Sequence, residues 1–252
     1  MINVSKSLAI VGLTFLLTAC SGIFGSDESI LPPAELIDFE AEFKPEIVWS
    51  EDAGDGAKSE YTDLSLWLND GNVVAVDHMG EVNSYDAHTG ELNWQIELDV
   101  PVIAGAGGGE GLILIGTQEG EVIALNENSG EFIWRMRLTS EVLTPPKAGL
   151  GVVVARTADG RMSGLSTDDG VVLWNYQRSV PLLSLRGASP PALIDDKVIA
   201  GYANGKVVAL AITDGKVIWE KSVAVSRGRT EIDRLVDIDS ELVIKYSRIY
   251  VV

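Results

Sequence analysis

Few residues in this chain are able to do chemistry, and their spacing argues mostly against catalysis. Cys20 is the sole cysteine of 252 residues, so neither an internal disulfide nor a vicinal cysteine pair is available. His78 and His88 fall in or beside hairpins with no cysteine near them, which is poor ground for a zinc site. Asp237-Ile238-Asp239-Ser240-Glu241 starts like a calcium loop, yet the sixth-position glycine is missing and Arg248 stands where the bidentate glutamate belongs. The stretch GAGGGEG, Gly105 to Gly111, has Glu110 and Leu112 where the last glycine of a dinucleotide loop would fall, and it leads into a strand. It is expected to be a turn. No serine, histidine and aspartate are brought together by position, so no catalytic residue, metal site or cofactor is expected.

Cys20 has a different use. It closes Leu17-Thr18-Ala19-Cys20, preceded by Lys6 and a mostly apolar run from Ser7 to Ala19. Such a run falls short of the ~20 apolar residues that span a bilayer, and has the anatomy of a signal peptide over residues 1–19. The string resembles a bacterial lipobox, which implies a diacylglycerol on the Cys20 thiol and an N-acyl chain on its freed amine. Several acyl chains, at ~0.8 kcal/mol per buried methylene, make a stable anchor. Lipoproteins of this kind with aspartate after the cysteine stay at the inner membrane. Ser21 stands there instead, which implies delivery to the outer membrane of a Gram-negative cell, periplasmic side. Residues 20–45, rich in Ser, Gly, Pro and acids, are expected to form a lipidated flexible tether.

Composition narrows the partners. The formal charge of −18 and isoelectric point near 4.4 argue against nucleic acid, whose phosphates need clustered Lys and Arg, and against anionic headgroups. Abundant valine with 26 glycines points to many strands and turns.

The elements that position everything else repeat. GEVNSYDAHTGELNW (Gly80–Trp94), GEVIALNENSGEFIW (Gly120–Trp134), GRMSGLSTDDGVVLW (Gly160–Trp174) and GKVVALAITDGKVIW (Gly205–Trp219) each place two glycines 10 residues apart with a tryptophan four residues later. The tryptophans recur at 40, 40 and 45, and Trp49 precedes the first by 45. A period of 40 to 45 made of short strands marks a β-propeller blade. The expectation is an all-β propeller over residues 46–252, with four-stranded antiparallel blades and docking tryptophans Trp49, Trp94, Trp134, Trp174 and Trp219. Each ring should fill the wedge between blades, its indole N–H reaching a backbone carbonyl. In the fourth copy the spacing predicts strands at Pro191–Ile194, Lys197–Tyr202, Val207–Ala211 and Lys216–Val223. About five blades are present, the sequence stopping within one, and a complete ring of eight is expected, closed by the strand that carries Trp49.

The repeat TG-E-x-x-W resembles that of the pyrroloquinoline-quinone dehydrogenase propellers and that of their non-catalytic relatives, the BamB family of outer-membrane β-barrel assembly lipoproteins. A periplasmic quinoprotein dehydrogenase would need the vicinal cysteines this chain lacks. From Trp174 to Gly205 the link is 31 residues against 26 in the two earlier copies, the excess falling in Ser179–Pro191. A second excess of about six falls in Ser226–Asp239. Both join an outer strand to the next inner strand, so they share one face of the disc, side by side, where binding residues concentrate. Leu183, Leu185, Arg186, Leu235, Asp237 and Asp239 combine apolar groups with pairable charges, as a protein interface does. An internal role is equally open: leucines as loop plugs, and Arg186 bridged to Asp237 or Asp239.

SLRG and EIDRLVDID match the BamB family closely. The resemblance implies a non-enzymatic scaffold that binds the POTRA domains of BamA through Leu183, Leu185, Arg186, Asp237 and Asp239. An exposed strand edge could also hold unfolded outer-membrane clients by β-augmentation, though the sequence singles out no such edge.

Overall fold

The computed structural model describes residues 35, 40, 42–58, 62–178, 187–227, 229–230, 232, 235–246 and 248–251. The described residues contain 19 strands and no α-helix. After a short β1 (Asp63–Leu64), four blades follow in chain order. They are β2 (Trp67–Asn69), β3 (Asn72–Val76), β4 (Glu81–Asp86) and β5 (Leu92–Glu97); β6 (Val102–Gly109), β7 (Leu112–Thr117), β8 (Glu121–Asn126) and β9 (Phe132–Arg137); β10 (Lys147–Gly149), β11 (Val152–Arg156), β12 (Arg161–Ser166) and β13 (Val172–Gln177); and β14 (Ala192–Ile194), β15 (Lys197–Tyr202), β16 (Lys206–Ala211) and β17 (Val217–Ser222). Within each blade, consecutive strands pair antiparallel. A fifth blade starts with the hairpin β18 (Val243–Lys245) and β19 (Arg248–Tyr250). The inner strands meet around the axis, β6 pairing in parallel with both β1 and β10.

The middle strands read as apolar runs because both of their faces are covered, as in any sheet sandwiched between neighbours. In β11, Val153 and Ala155 face the second blade while Val152 and Val154 face the fourth. Period-two alternation thus divides one strand between two interblade cores.

The repeat motif works across that boundary. Trp49 donates its indole N–H to Ala87 O at 2.9 Å, Trp94 to Glu127 O at 3.1 Å, Trp134 to Thr167 O at 2.7 Å and Trp174 to Ile212 O at 2.8 Å. Each acceptor lies just past the third strand of the following blade. The second glycine of each copy sits under the ring: a Cβ on Gly130 would come within 2.6 Å of Trp94, and one on Gly170 within 2.6 Å of Trp134. That glycine also turns with φ near +71° at Gly130, so one residue satisfies a turn and a docking contact. Trp49 seats on the first blade as the others seat on theirs, its ring over Gly90. Trp219 packs beside Ile249 of the fifth blade.

Opposite Trp94, Trp134, Trp174 and Trp219 the third strand carries a register shift, as between Ala124 and Leu125. The residue before the tryptophan, Ile133 or Leu173, is exposed there, and such bulges blunt an edge strand against pairing with another chain.

One expectation is corrected. Gly105 to Gly109 are strand β6 and only Glu110-Gly111 make the turn. The glycines serve close approach: a Cβ on Gly107 would sit 2.0 Å from Pro146 O, and one on Gly109 2.3 Å from Ala148 O. At these two positions β6 runs too close to the segment 146–148 for a side chain to fit. The fourth-blade strands fall within a residue or so of their expected limits, and Pro146 and Pro191 directly precede β10 and β14, where a missing N–H breaks no ladder.

Candidate functional site

Chain direction puts the crossings between blades at the same end of the wheel as the turns between second and third strands. The N–H of Leu98, Leu138 and Val223, each leaving an outer strand, donates to the carbonyl of Gly80, Gly120 and Gly205 in those turns. The turns at 87–90, 127–130 and 167–170 lie at the other end. His78 belongs to the crossing end, its Nδ1 2.8 Å from Val102 O, and His88 to the opposite end. The two histidines therefore share no site.

Of the expected partner-binding residues, Leu183, Leu185 and Arg186 lie outside the described residues, while Asp237 and Asp239 are described. Gly187, next to Arg186, lies against Asp239: a Cβ there would stand 3.3 Å from Asp239 Oδ2. The two enlarged crossings thus meet. Val236 bridges to Asn204 and the Ile238 N–H reaches Tyr202 O at 3.4 Å, tying the second crossing to the fourth blade. Ile238 is 4% exposed, its side chain pressed over Gly201, whereas Asp239 is exposed. Extended alternation in Val-Asp-Ile-Asp turns the apolar residue inward and the following carboxylate outward. Leu235 is half-buried, its N–H donating to Ile232 O at 3.1 Å.

Beside this junction opens a cleft of about 230 Å³ lined by Thr62, Asp63, Leu143, Gly187, Ala188 and Asp239. It continues toward the axis past Lys147 and Glu241, which pair at 3.2 Å. Burial raises the Asp63 carboxyl above its ordinary value, Glu241 adds to the rise and Lys147 opposes it. The floor is acidic with one lysine. It offers hydrogen-bond acceptors and negative charge to a partner and, among the described residues that line it, no nucleophile poised beside a base.

Sequence reasoning missed the part taken by Thr62 and Asp63. They end the crossing that leads from Trp49 into the first blade, and Trp49 standing 45 residues before Trp94 was the signal that such a crossing exists. Gly187 was legible in SLRG only as a neighbour of Arg186.

A family model described as "Outer membrane protein assembly factor BamB" matches residues 46–252. The curated protein of that name from Pseudomonas aeruginosa is 47% identical over 247 residues, covering 98% of this chain and 64% of its own length. The one from Kangiella koreensis is 43% identical over 235 residues, covering 93% and 59%. Among solved structures, BamB from Moraxella catarrhalis superposes with a TM-score of 0.70 at 29% identity over 75% of this chain and 58% of that one. The chain therefore spans about three-fifths of the length of the relatives it matches. With the repeat, the blade architecture and these likenesses in agreement, the chain belongs to the BamB family of outer membrane protein assembly factors.

Proposed function

We propose that the protein is a non-enzymatic scaffold of the machinery that inserts β-barrels into the outer membrane, and that its two enlarged crossings bind the POTRA domains of BamA. The observation that carries this reading is the junction of Gly187 with Asp239, which gathers the two crossings into one surface. A rigid wheel with long loops on one rim suits binding, since the loops gain a fixed frame. Leu183 and Leu185 would supply the apolar centre, with Arg186, Asp237 and Asp239 as the charged surround. The names of the relatives support assembly as the process and the Gram-negative outer membrane as the place. Cys20, lipidated, would hold the protein on the periplasmic side through the tether of residues 20–45. Unfolded clients would be passed along the complex; the bulged outer edges weigh against their pairing on the blades.

The test is capture of isolated POTRA domains by the mature full-length protein. Arg186→Glu and Asp239→Arg are each expected to weaken capture by about tenfold or more, the loss of an interface hot spot, ~1.4 kcal/mol per decade. Circular dichroism should stay unchanged. Capture by both variants at the level of the parent overturns the assignment.

A further inference from the structure

The fifth position of the second strand is equivalent in all four blades: Val76, Gly116, Arg156 and Gly201 each face the second residue of the next strand. At two of these places a crossing drops an apolar plug onto a glycine. A Cβ on Gly116 would be 2.6 Å from Val142, and one on Gly201 2.2 Å from Ile238. The third blade departs from this scheme. The described part of its outgoing crossing brings only Gly187, Ala188 and Ser189 before the prolines, with no apolar plug, and an arginine rises from the blade instead.

Arg156 is 4% exposed. Its Nη1 donates to Ser189 O and to Gly201 O, both at 2.7 Å, and its guanidinium carbon lies 4.4 Å from the Tyr202 ring centre. Among the described residues no carboxylate pairs with it. Burying a cation is costly, and the equivalent Val76 and the two glycines show that a blade folds without one. What the arginine joins is specific. Ser189, fully buried, is the base of the first enlarged crossing. Gly201 and Tyr202 are the seat of the second, because Ile238 presses on Gly201 and donates its N–H to Tyr202 O. Ile238 fixes Asp239, and Asp239 meets Gly187. The contacts close a circuit with Arg156 as its hub.

We infer that Arg156 is a positioning residue for the partner-facing surface, clamping both enlarged crossings to one point of the fourth blade so that Gly187 and Asp239 are held together. This rests on the reading of that surface as the POTRA-binding site. Planar geometry favours the residue type: one guanidinium nitrogen donates to both carbonyls while the delocalised plane lies over the Tyr202 ring, and a lysine ammonium, a compact point charge, lacks that plane.

The test uses the full-length protein and isolated POTRA domains. Arg156→Met is expected to weaken capture about tenfold, Arg156→Lys to recover part of the loss, and Arg156→Met combined with Asp239→Ala to lose less than the two singly, as residues acting through one network do. Amides of 187–189 and 236–240 should exchange faster together in Arg156→Met, while those of the first two blades keep their protection. Unchanged capture, full additivity with Asp239→Ala, or faster exchange in only one crossing overturns the clamp. Should Arg156→Met fail to fold, Gly201→Ala keeps the arginine and displaces Ile238; it is expected to weaken capture, and parental capture by it overturns the inference. Asp239→Arg separates the two questions. If that variant and Arg186→Glu both bind normally the surface assignment fails, and the paired exchange of the crossings still decides whether Arg156 holds them.

Discussion

Replacing Trp134 by alanine tests the interblade docking on which every other placement depends. The ring is 6% exposed, lies among Leu112, Ala124 and Leu165, and donates to Thr167 O at 2.7 Å. A buried tryptophan removes ~150–250 Å² from water, and truncating one to alanine in a core costs about 3–5 kcal/mol. The orphaned carbonyl adds about 1 kcal/mol where water reaches it poorly. The expected loss is about 4–6 kcal/mol, read as a fall in urea midpoint by circular dichroism and fluorescence, or a drop of roughly 8–24 °C in melting temperature for a domain of this size. Trp134→Phe keeps most of the apolar body and loses the N–H, so it should cost about 1–2 kcal/mol. A loss under about 1 kcal/mol for the alanine variant would refute the docking argument, because an indole at a loosely held surface behaves that way.

Asp63→Asn is expected to stabilise the protein near neutral pH. Its folded-state pKa is raised, chiefly by burial, so ionisation costs stability that is absent below the ordinary carboxylate pKa and appears as pH rises through that value to the folded one. The gain in urea midpoint should be present at pH 7 and vanish near pH 3; an equal gain at both values would reject burial as the cause. Gly107→Ala should destabilise by about 2–3 kcal/mol, the cost of forcing volume into a packed site, since its Cβ would strike Pro146 O. A neutral effect in thermal melts would show that the inner strands have room to separate. Labelled palmitate should enter the full-length protein in cells and be lost in Cys20→Ala; incorporation that survives the substitution would reject the anchor.

The blade frame was legible because its signals are local. Glycine and tryptophan recur at fixed offsets, and apolar runs mark strands covered on both faces. Even the pairing of tryptophan with a carbonyl follows from the chemistry of indole. What escaped the sequence depends on neighbours distant in the chain. Gly105 to Gly109 read as a turn by propensity, yet they lie in β6, which pairs with β7, β1 and β10, and Gly107 and Gly109 stand where a Cβ would strike the neighbouring backbone. Leu150 occupies a hairpin turn at φ 53° despite its side chain, so tertiary pairing overrides local preference there. The nearness of the two crossings followed from counting residues between repeats. Arg156 ends the run VVVAR, and its hub position is visible only once Ser189 and Gly201 are brought beside it.

The account stands on the crossing end of the wheel being the face that meets BamA. A photo-activated cross-linking residue placed at Asp239, and in a second strain at Asp168 in an exposed turn of the opposite end, reads this directly in living cells. The account predicts an adduct with BamA from position 239 and none from position 168. Adducts from 168 alone would contradict it.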